Sequence, residues 1–179
     1  LALTSLGLNE VINYSFISES EALSFATKAE IAQLANAISL DLKFLRPSII
    51  PSLLKNLESR QNRSNFIIKL FEKGNIFKKE SDKILETAAI ATLRSGPRLT
   101  KELNNDDSLS DIFDVKNDLI TILKEAGIPA NKLQYRTNSL PIYAHPKRSA
   151  LVCLGKNIVG VFGELHPQIN EDIGAKYRI

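Results

Sequence analysis

Apolar residues along the chain switch repeatedly between a period of two and a helical period, and the switches outline its elements. Leu1 to Gly7 reads as the end of a helix with glycine just past it, and Glu10 to Phe16 alternates as a strand with Ile12, Tyr14 and Phe16 on one face. Ser18 is placed to cap a short helix reaching about Phe25, whose apolar side is Ala22, Leu23 and Phe25. Ile31 to Leu34 and Ser39 to Leu45 are short strand candidates. Pro47 and Pro51 bracket a turn. Beyond it Leu53, Leu54 and Leu57 form the stripe of an amphipathic helix running towards Arg63, with Lys55, Glu58 and Arg60 off the stripe. Ile67 to Phe77 is the longest strand candidate, and Gly74 within it suggests a bend or bulge. Ile84 to Arg94 is its expected antiparallel neighbour across a polar turn, Lys78 to Lys83.

Pro97 to Asp111 reads as a polar loop. Asp114 is the expected cap of a helix that turns Leu119, Ile122, Leu123 and Ala126 inward and stops at Gly127. Leu133 to Thr137 looks like a strand. Ser149 to Leu154 and Ile158 to Leu165 flank Gly155-Lys156-Asn157 as a hairpin, and His166-Pro167 opens a last short helix. Strands that mostly neighbour one another, with helices between some of them, predict an α+β fold with an antiparallel-rich sheet flanked by helices, in a single domain over residues 1–179.

Composition narrows the function classes. With 44% hydrophobic and 24% charged residues, the chain is neither disordered nor fibrous. Its net charge of +3 divides into +1 over residues 1–90 and +2 over 91–179, too even for a module built mainly to grip phosphate backbones. No apolar run approaches the roughly 18–20 residues that span a bilayer, so no membrane role is expected. The single Cys153 cannot form an internal disulfide and suits a reducing, cytoplasmic setting. The absence of Met, in a chain that opens Leu-Ala-Leu-Thr, leads us to expect a fragment of something longer.

Searches for chemistry return little. Gly155-Lys156 precedes Asn157 and a strand, so it is a turn rather than a phosphate cradle, and Gly155, Gly160 and Gly163 open no helix. One Cys and two His are too few for an ordinary zinc site. Asp106-Asp107-Ser108-Leu109-Ser110-Asp111 lacks the glycine and closing glutamate of a calcium loop. No Gly-x-Ser-x-Gly elbow occurs. Charged residues set among prolines and glycines remain: Arg46-Pro47-Ser48, Glu72 in a strand, His145-Pro146-Lys147-Arg148-Ser149, and Gly163-Glu164-Leu165-His166-Pro167. An arginine beside a rigid turn suits a fixed bidentate bridge, within the chain or to a partner.

Taken in order, Gly7-Leu8-Asn9-Glu10-Val11-Ile12-Asn13-Tyr14-Ser15-Phe16, Leu45-Arg46-Pro47-Ser48-Ile49-Ile50-Pro51-Ser52-Leu53-Leu54, Leu70-Phe71-Glu72-Lys73-Gly74-Asn75-Ile76-Phe77, Phe113-Asp114-Val115-Lys116, His145-Pro146-Lys147-Arg148-Ser149-Ala150 and Gly160-Val161-Phe162-Gly163-Glu164-Leu165-His166-Pro167 resemble the synthetase-like core domain of the bacterial phenylalanyl-tRNA synthetase β subunit. Leu34-Ala35-Asn36-Ala37-Ile38-Ser39 adds to the match, although Ala37 replaces a usual proline, and Ser52, Lys147 and Asn117 replace usual glycines.

The resemblance implies a class II aminoacyl-tRNA synthetase-like fold without its chemistry. Where such enzymes carry a phosphate-binding arginine in a Phe-Arg-x-Glu strand motif, aligning Glu72 puts Leu70 at the arginine position. Between Ser149 and Tyr177 no arginine is available for the third motif. The cleft is therefore expected to offer hydrocarbon and no nearby cation, with Lys69 and Arg148 as the candidate substitutes. The implied partner is an α subunit in an (αβ)₂ assembly that meets tRNA(Phe), with ATP and magnesium handled elsewhere and no cofactor in this domain. No catalytic or metal residue is expected. Leu53, Leu57, Arg60 and Arg63, on the helix from Leu53 to Arg63, are the leading contact candidates for the α subunit, with packing on the domain's own sheet as the alternative, while Arg46, Glu72, His145, Arg148, Glu164 and His166 are expected to serve an interface or the domain's own structure.

Overall fold

The computed structural model describes residues 1–63, 66–98 and 108–179. Asp106 and Asp107 of the acidic stretch, and residues 99–107 of the expected polar loop, lie outside the described residues. The elements, in chain order, are α1 (Ala2–Ser5), β1 (Asn9–Glu10), β2 (Phe16–Ile17), α2 (Glu19–Leu23), β3 (Ala32–Gln33), β4 (Phe44–Leu45), α3 (Ile50–Asn62), β5 (Ile68–Glu80), β6 (Lys83–Ser95), α4 (Ile112–Glu125), β7 (Leu133–Arg136), β8 (Ala144–Leu154), β9 (Asn157–Leu165) and α5 (Pro167–Asp172).

Among the described residues the strands form three three-stranded groups, β1-β5-β6, β2-β4-β3 and β7-β8-β9. Every pairing is antiparallel except β1 with β5. The long hairpin β5–β6 is the spine. Side chains alternate across it: Ile68 and Leu70 join Leu53, Leu54 and Leu57 of α3, whereas Phe71 joins Leu3, Leu8 and Ile122 of α4. Helices therefore cover both faces. α4 lies against both β6 and β9, and so connects two of the strand groups.

Several elements differ from the expectation for identifiable reasons. The strand expected over Glu10–Phe16 divides into β1 and β2, and its Ile12 and Tyr14 face is 91% and 78% exposed. The inward face carries Val11 and Asn13 instead, because Val11 N–H donates to Phe71 O and Asn13 is held by Glu72. Ser39–Leu45 is a turn of 3₁₀ helix followed by β4. α3 begins at Ile50, with Pro51 in its first turn where a missing N–H costs nothing. The β5–β6 turn is tighter than expected, with Glu80 opposite Lys83 and Ser81 in the left-handed region at φ 54°. Asp111, not Asp114, caps α4. Its side chain accepts from the Phe113 and Asp114 N–H groups while Asp114 returns a bond to the Asp111 N–H, a reciprocal capping box.

Candidate functional site

The first of the charged sets is a buried node. Arg46 leaves β4 and Glu72 sits in β5; both side chains are 2% exposed, and Arg46 Nη1 donates to Glu72 Oε1 at 2.7 Å. Arg46 Nε donates to the Asn75 carbonyl at 3.0 Å. Asn13 Nδ2 donates to Glu72 Oε2 at 2.7 Å, and Asn56 Nδ2 donates both to Asn13 Oδ1 and to the Ser52 carbonyl of α3. One carboxylate thus fastens the β1–β2 link, β4, β5 and α3. Desolvating a charge is tolerable only when its hydrogen bonds are replaced, and each member here has such replacements.

Gly74 is part of this node rather than the bend or bulge expected of it. The β5–β6 register runs unbroken through the Gly74–Ala89 pair. A Cβ at position 74 would lie 2.3 Å from Arg46 Nη2, so the missing side chain is the space the guanidinium occupies. Gly74→Ala is expected to displace Arg46 and cost about 1–3 kcal/mol, read as a lower denaturant midpoint with an unchanged m-value.

A second buried pair had no counterpart in the sequence reading. Arg94 of β6 and Asp118 of α4 meet in a fork, Nε to Oδ2 and Nη2 to Oδ1, both at 2.7 Å, with the carboxylate fully buried. The available signal was a charged residue placed on the inward stripe of α4 between Val115 and Ile122. Lys69, opposite Arg94 in the ladder, donates to the Arg98 carbonyl at 2.6 Å. Burial, aided by the Arg94 charge, lowers its pKa below the usual lysine value. Arg98 in turn grips Asp111 and Asp114 at the start of α4.

The remaining residues have plain roles. Arg148 Nη1 donates to both Glu164 oxygens at 3.1 Å, and Arg178 stands 3.8 Å from the same carboxylate. His145 Nδ1 accepts from the Lys147 N–H, and His166 Nδ1 accepts from the Gln168 N–H to cap α5. Leu53 and Leu57 are fully buried against the domain's own strands, so for these two leucines packing on the domain's own sheet, the alternative to a partner contact, is what the structure has. Arg60 is half-buried, and Arg63 at the end of α3 is exposed.

Beside these pairs lies a cleft of about 570 Å³ bounded by β6 and β9. Ala89, Ala91, Leu119, Tyr143 and Val161 contribute apolar wall, and Lys73, Arg94 and Glu164 are its charged residues. Of its cations, Arg94 is already neutralised by Asp118. Leu70, at the aligned arginine position, is fully buried in the core. Burial also raises the Tyr143 phenol above its usual value near 10. Between that value and its folded pKa the unfolded chain loses this proton while the folded chain keeps it, so this residue makes stability fall as pH rises. Phenolate absorbance compared with Tyr143→Phe is expected to show that phenol titrating above the ordinary tyrosine value.

The whole chain, residues 1–179, matches the family model described as the phenylalanyl tRNA synthetase beta chain CLM domain. Among curated proteins it is similar to phenylalanine–tRNA ligase beta subunits: 34% identical over 97% of this chain for Rhodopseudomonas palustris and 36% over 94% for Zymomonas mobilis. It spans 22% and 21% of those two relatives. Among solved structures, two of Desulfitobacterium hafniense pyrrolysyl-tRNA synthetase share its fold, at TM-scores of 0.69 and 0.70 with 17% and 18% identity. Each covers 99% of this chain, and the chain covers 59% and 60% of them.

Proposed function

Since the chain belongs to the phenylalanyl-tRNA synthetase beta chain CLM domain family, and folds like a class II synthetase, we propose that it is a non-catalytic domain. On this reading it contributes to the subunit interface of an (αβ)₂ phenylalanine–tRNA ligase and braces the α subunit while that subunit charges tRNA(Phe). The observation that carries the reading is Leu70, fully buried in the core at the aligned position of the phosphate-binding arginine. Amino-acid activation needs fixed positive charge aimed at the developing charge on phosphate. Arg46, Arg94 and Arg148 each already hold a carboxylate, at 2.7, 2.7 and 3.1 Å. These residues do not fit a triphosphate, and ATP and magnesium belong to the α subunit on this account.

Two observations weigh against a divergent nucleotide-using enzyme. Lys69 is committed to a backbone carbonyl, and Arg148 is paired with Glu164. Direct tRNA binding by Lys55, Arg60 and Arg63 is disfavoured by the even charge distribution, with Lys55 further paired to Glu21 at 2.9 Å.

The interface reading is tested by co-purifying the β chain with its α subunit. Wild type is expected to retain α stoichiometrically, and Arg63→Glu to weaken retention by about ten-fold, or about 1.4 kcal/mol, with the circular dichroism spectrum unchanged. Failure of the wild-type chain to retain α contradicts the bracing role. Undiminished retention by Arg63→Glu removes α3 from the contact surface.

A further inference from the structure

The near balance of charge between the two halves of the chain hides a local asymmetry. Residues 126–163, between Glu125 and Glu164, contain no Asp or Glu and five Lys or Arg: Lys132, Arg136, Lys147, Arg148 and Lys156. That stretch carries +5 in a chain whose total is +3, which leaves −2 on everything else. It supplies β7, β8 and most of β9, so the asymmetry belongs to one strand group.

The fold gathers three of these cations at one end of the group. Lys132 directly precedes Leu133, which pairs with Leu154, and Gly155 and Lys156 form the turn that follows. Arg136 Nη2 donates to the Gly155 carbonyl at 3.2 Å, which brings its guanidinium to the same turn. Lys132, Arg136 and Lys156 are all exposed, and none makes an ion pair among the described residues. Arg148, by contrast, is held by Glu164.

A fourth cation stands beside them. β7 is the outer strand of its group, and Lys116 Nζ of α4 lies 4.4 Å from the centroid of the Tyr135 ring in β7 and 6.0 Å from that of Phe162. Ring faces hold an ammonium without neutralising it, and the Lys116 ammonium has no hydrogen bond or ion pair among the described residues. Unshared charge of one sign on one surface raises the local concentration of polyanions.

The neighbouring chemistry favours a phosphodiester backbone over an acidic protein. Asn131, Gln134, Thr137 and Asn138 are exposed among the cations, and such amides and hydroxyls share phosphate contacts with Lys and Arg. A protein interface is centred on aromatic or aliphatic anchors, whereas the half-exposed ring here, Tyr135, already has one face taken by Lys116.

We propose that the Gly155 end of the β7–β8–β9 group is an RNA-backbone contact, in which Lys132, Arg136 and Lys156 bind phosphates without reading sequence and Lys116 adds to their field. So few charges make an auxiliary grip, which a modest chain total permits. This inference rests on reading the chain as part of a tRNA ligase and not on its bracing role.

The test measures binding of a tRNA(Phe) transcript to the assembled α and β chains over a series of salt concentrations. The triple variant Lys132→Gln, Arg136→Gln, Lys156→Gln is expected to bind at least ~10-fold more weakly, with the slope of log affinity against log salt reduced by about one for each contact removed. Lys132→Arg with Lys156→Arg, which keeps the charge, is expected to bind as wild type does. So is Lys83→Gln, which removes an exposed cation at the start of β6. Unchanged affinity and slope in the triple variant, or an equal loss from Lys83→Gln, overturns the proposal. Loss of α by the triple variant assigns the surface to a protein contact and overturns it too. A wild-type β chain that fails to retain α removes the bracing role alone, and the salt series is then read on that β chain.

Discussion

Glu72→Ala is expected to be among the most destabilising single changes in the chain, costing about 3–5 kcal/mol because it leaves the Arg46 guanidinium buried without its counter-charge. For a chain of this size that corresponds to a fall in Tm of roughly 10 °C or more. The loss spreads beyond one pair, since Asn13 and Asn56 lose the carboxylate around which they are arranged. A double change, Arg46→Met with Glu72→Leu, is expected to recover most of the loss, because an apolar pair removes the unpaired charge. Calorimetric or denaturant unfolding of the two variants against wild type checks this. Equal destabilisation by the single and the double change would show that packing, not charge, dominates the node.

Leu70→Arg carries the second large effect. Putting back the cation that an active class II relative would carry here inserts an unpaired charge among Leu53, Leu57 and Leu93, and is expected to cost at least about 3–5 kcal/mol. Leu70→Met, of similar volume, is expected to cost less than about 1.5 kcal/mol. The expected result is a chain that unfolds without gaining nucleotide affinity. A folded Leu70→Arg chain that binds ATP tightly would mean the position still faces a competent cleft.

These effects follow from features that were unevenly visible in the sequence. The helices and the long hairpins were legible because their apolar spacing reports which face is buried: Leu53, Leu54 and Leu57 on α3, and Ile68 and Leu70 on β5. What the stripe could not tell was whether the leucines met the domain's own sheet or a partner, since burial looks the same in either case. Glu10–Phe16 was misread because Ile12 and Tyr14 outweigh Val11 and Asn13 in hydrophobicity, while the inward face is set by the long-range bond to Glu72. Asn13 and Asn56, given no role in the sequence, and Gly74, given a different one, are all defined by what lies opposite them, 59, 43 and 28 positions away in the chain for Glu72, Asn13 and Arg46 respectively. Arg46 and Glu72 were singled out by their turn and strand context, but their mutual pairing needed the fold. Gly163 and Gly160 stood out as glycines, yet only the packing of Leu119 against Gly160 gives the latter a reason.

The central claim, that this domain supports an active partner without binding nucleotide itself, is tested most directly by calorimetric titration of the assembled α and β chains with ATP and magnesium, or with a non-hydrolysable phenylalanyl-adenylate analogue. The account predicts as many sites as there are α subunits, with the number unchanged by substitutions at Arg94 or Arg148 that keep the assembly intact. An additional site for every β chain, abolished by changes in the cleft between β6 and β9, would contradict it.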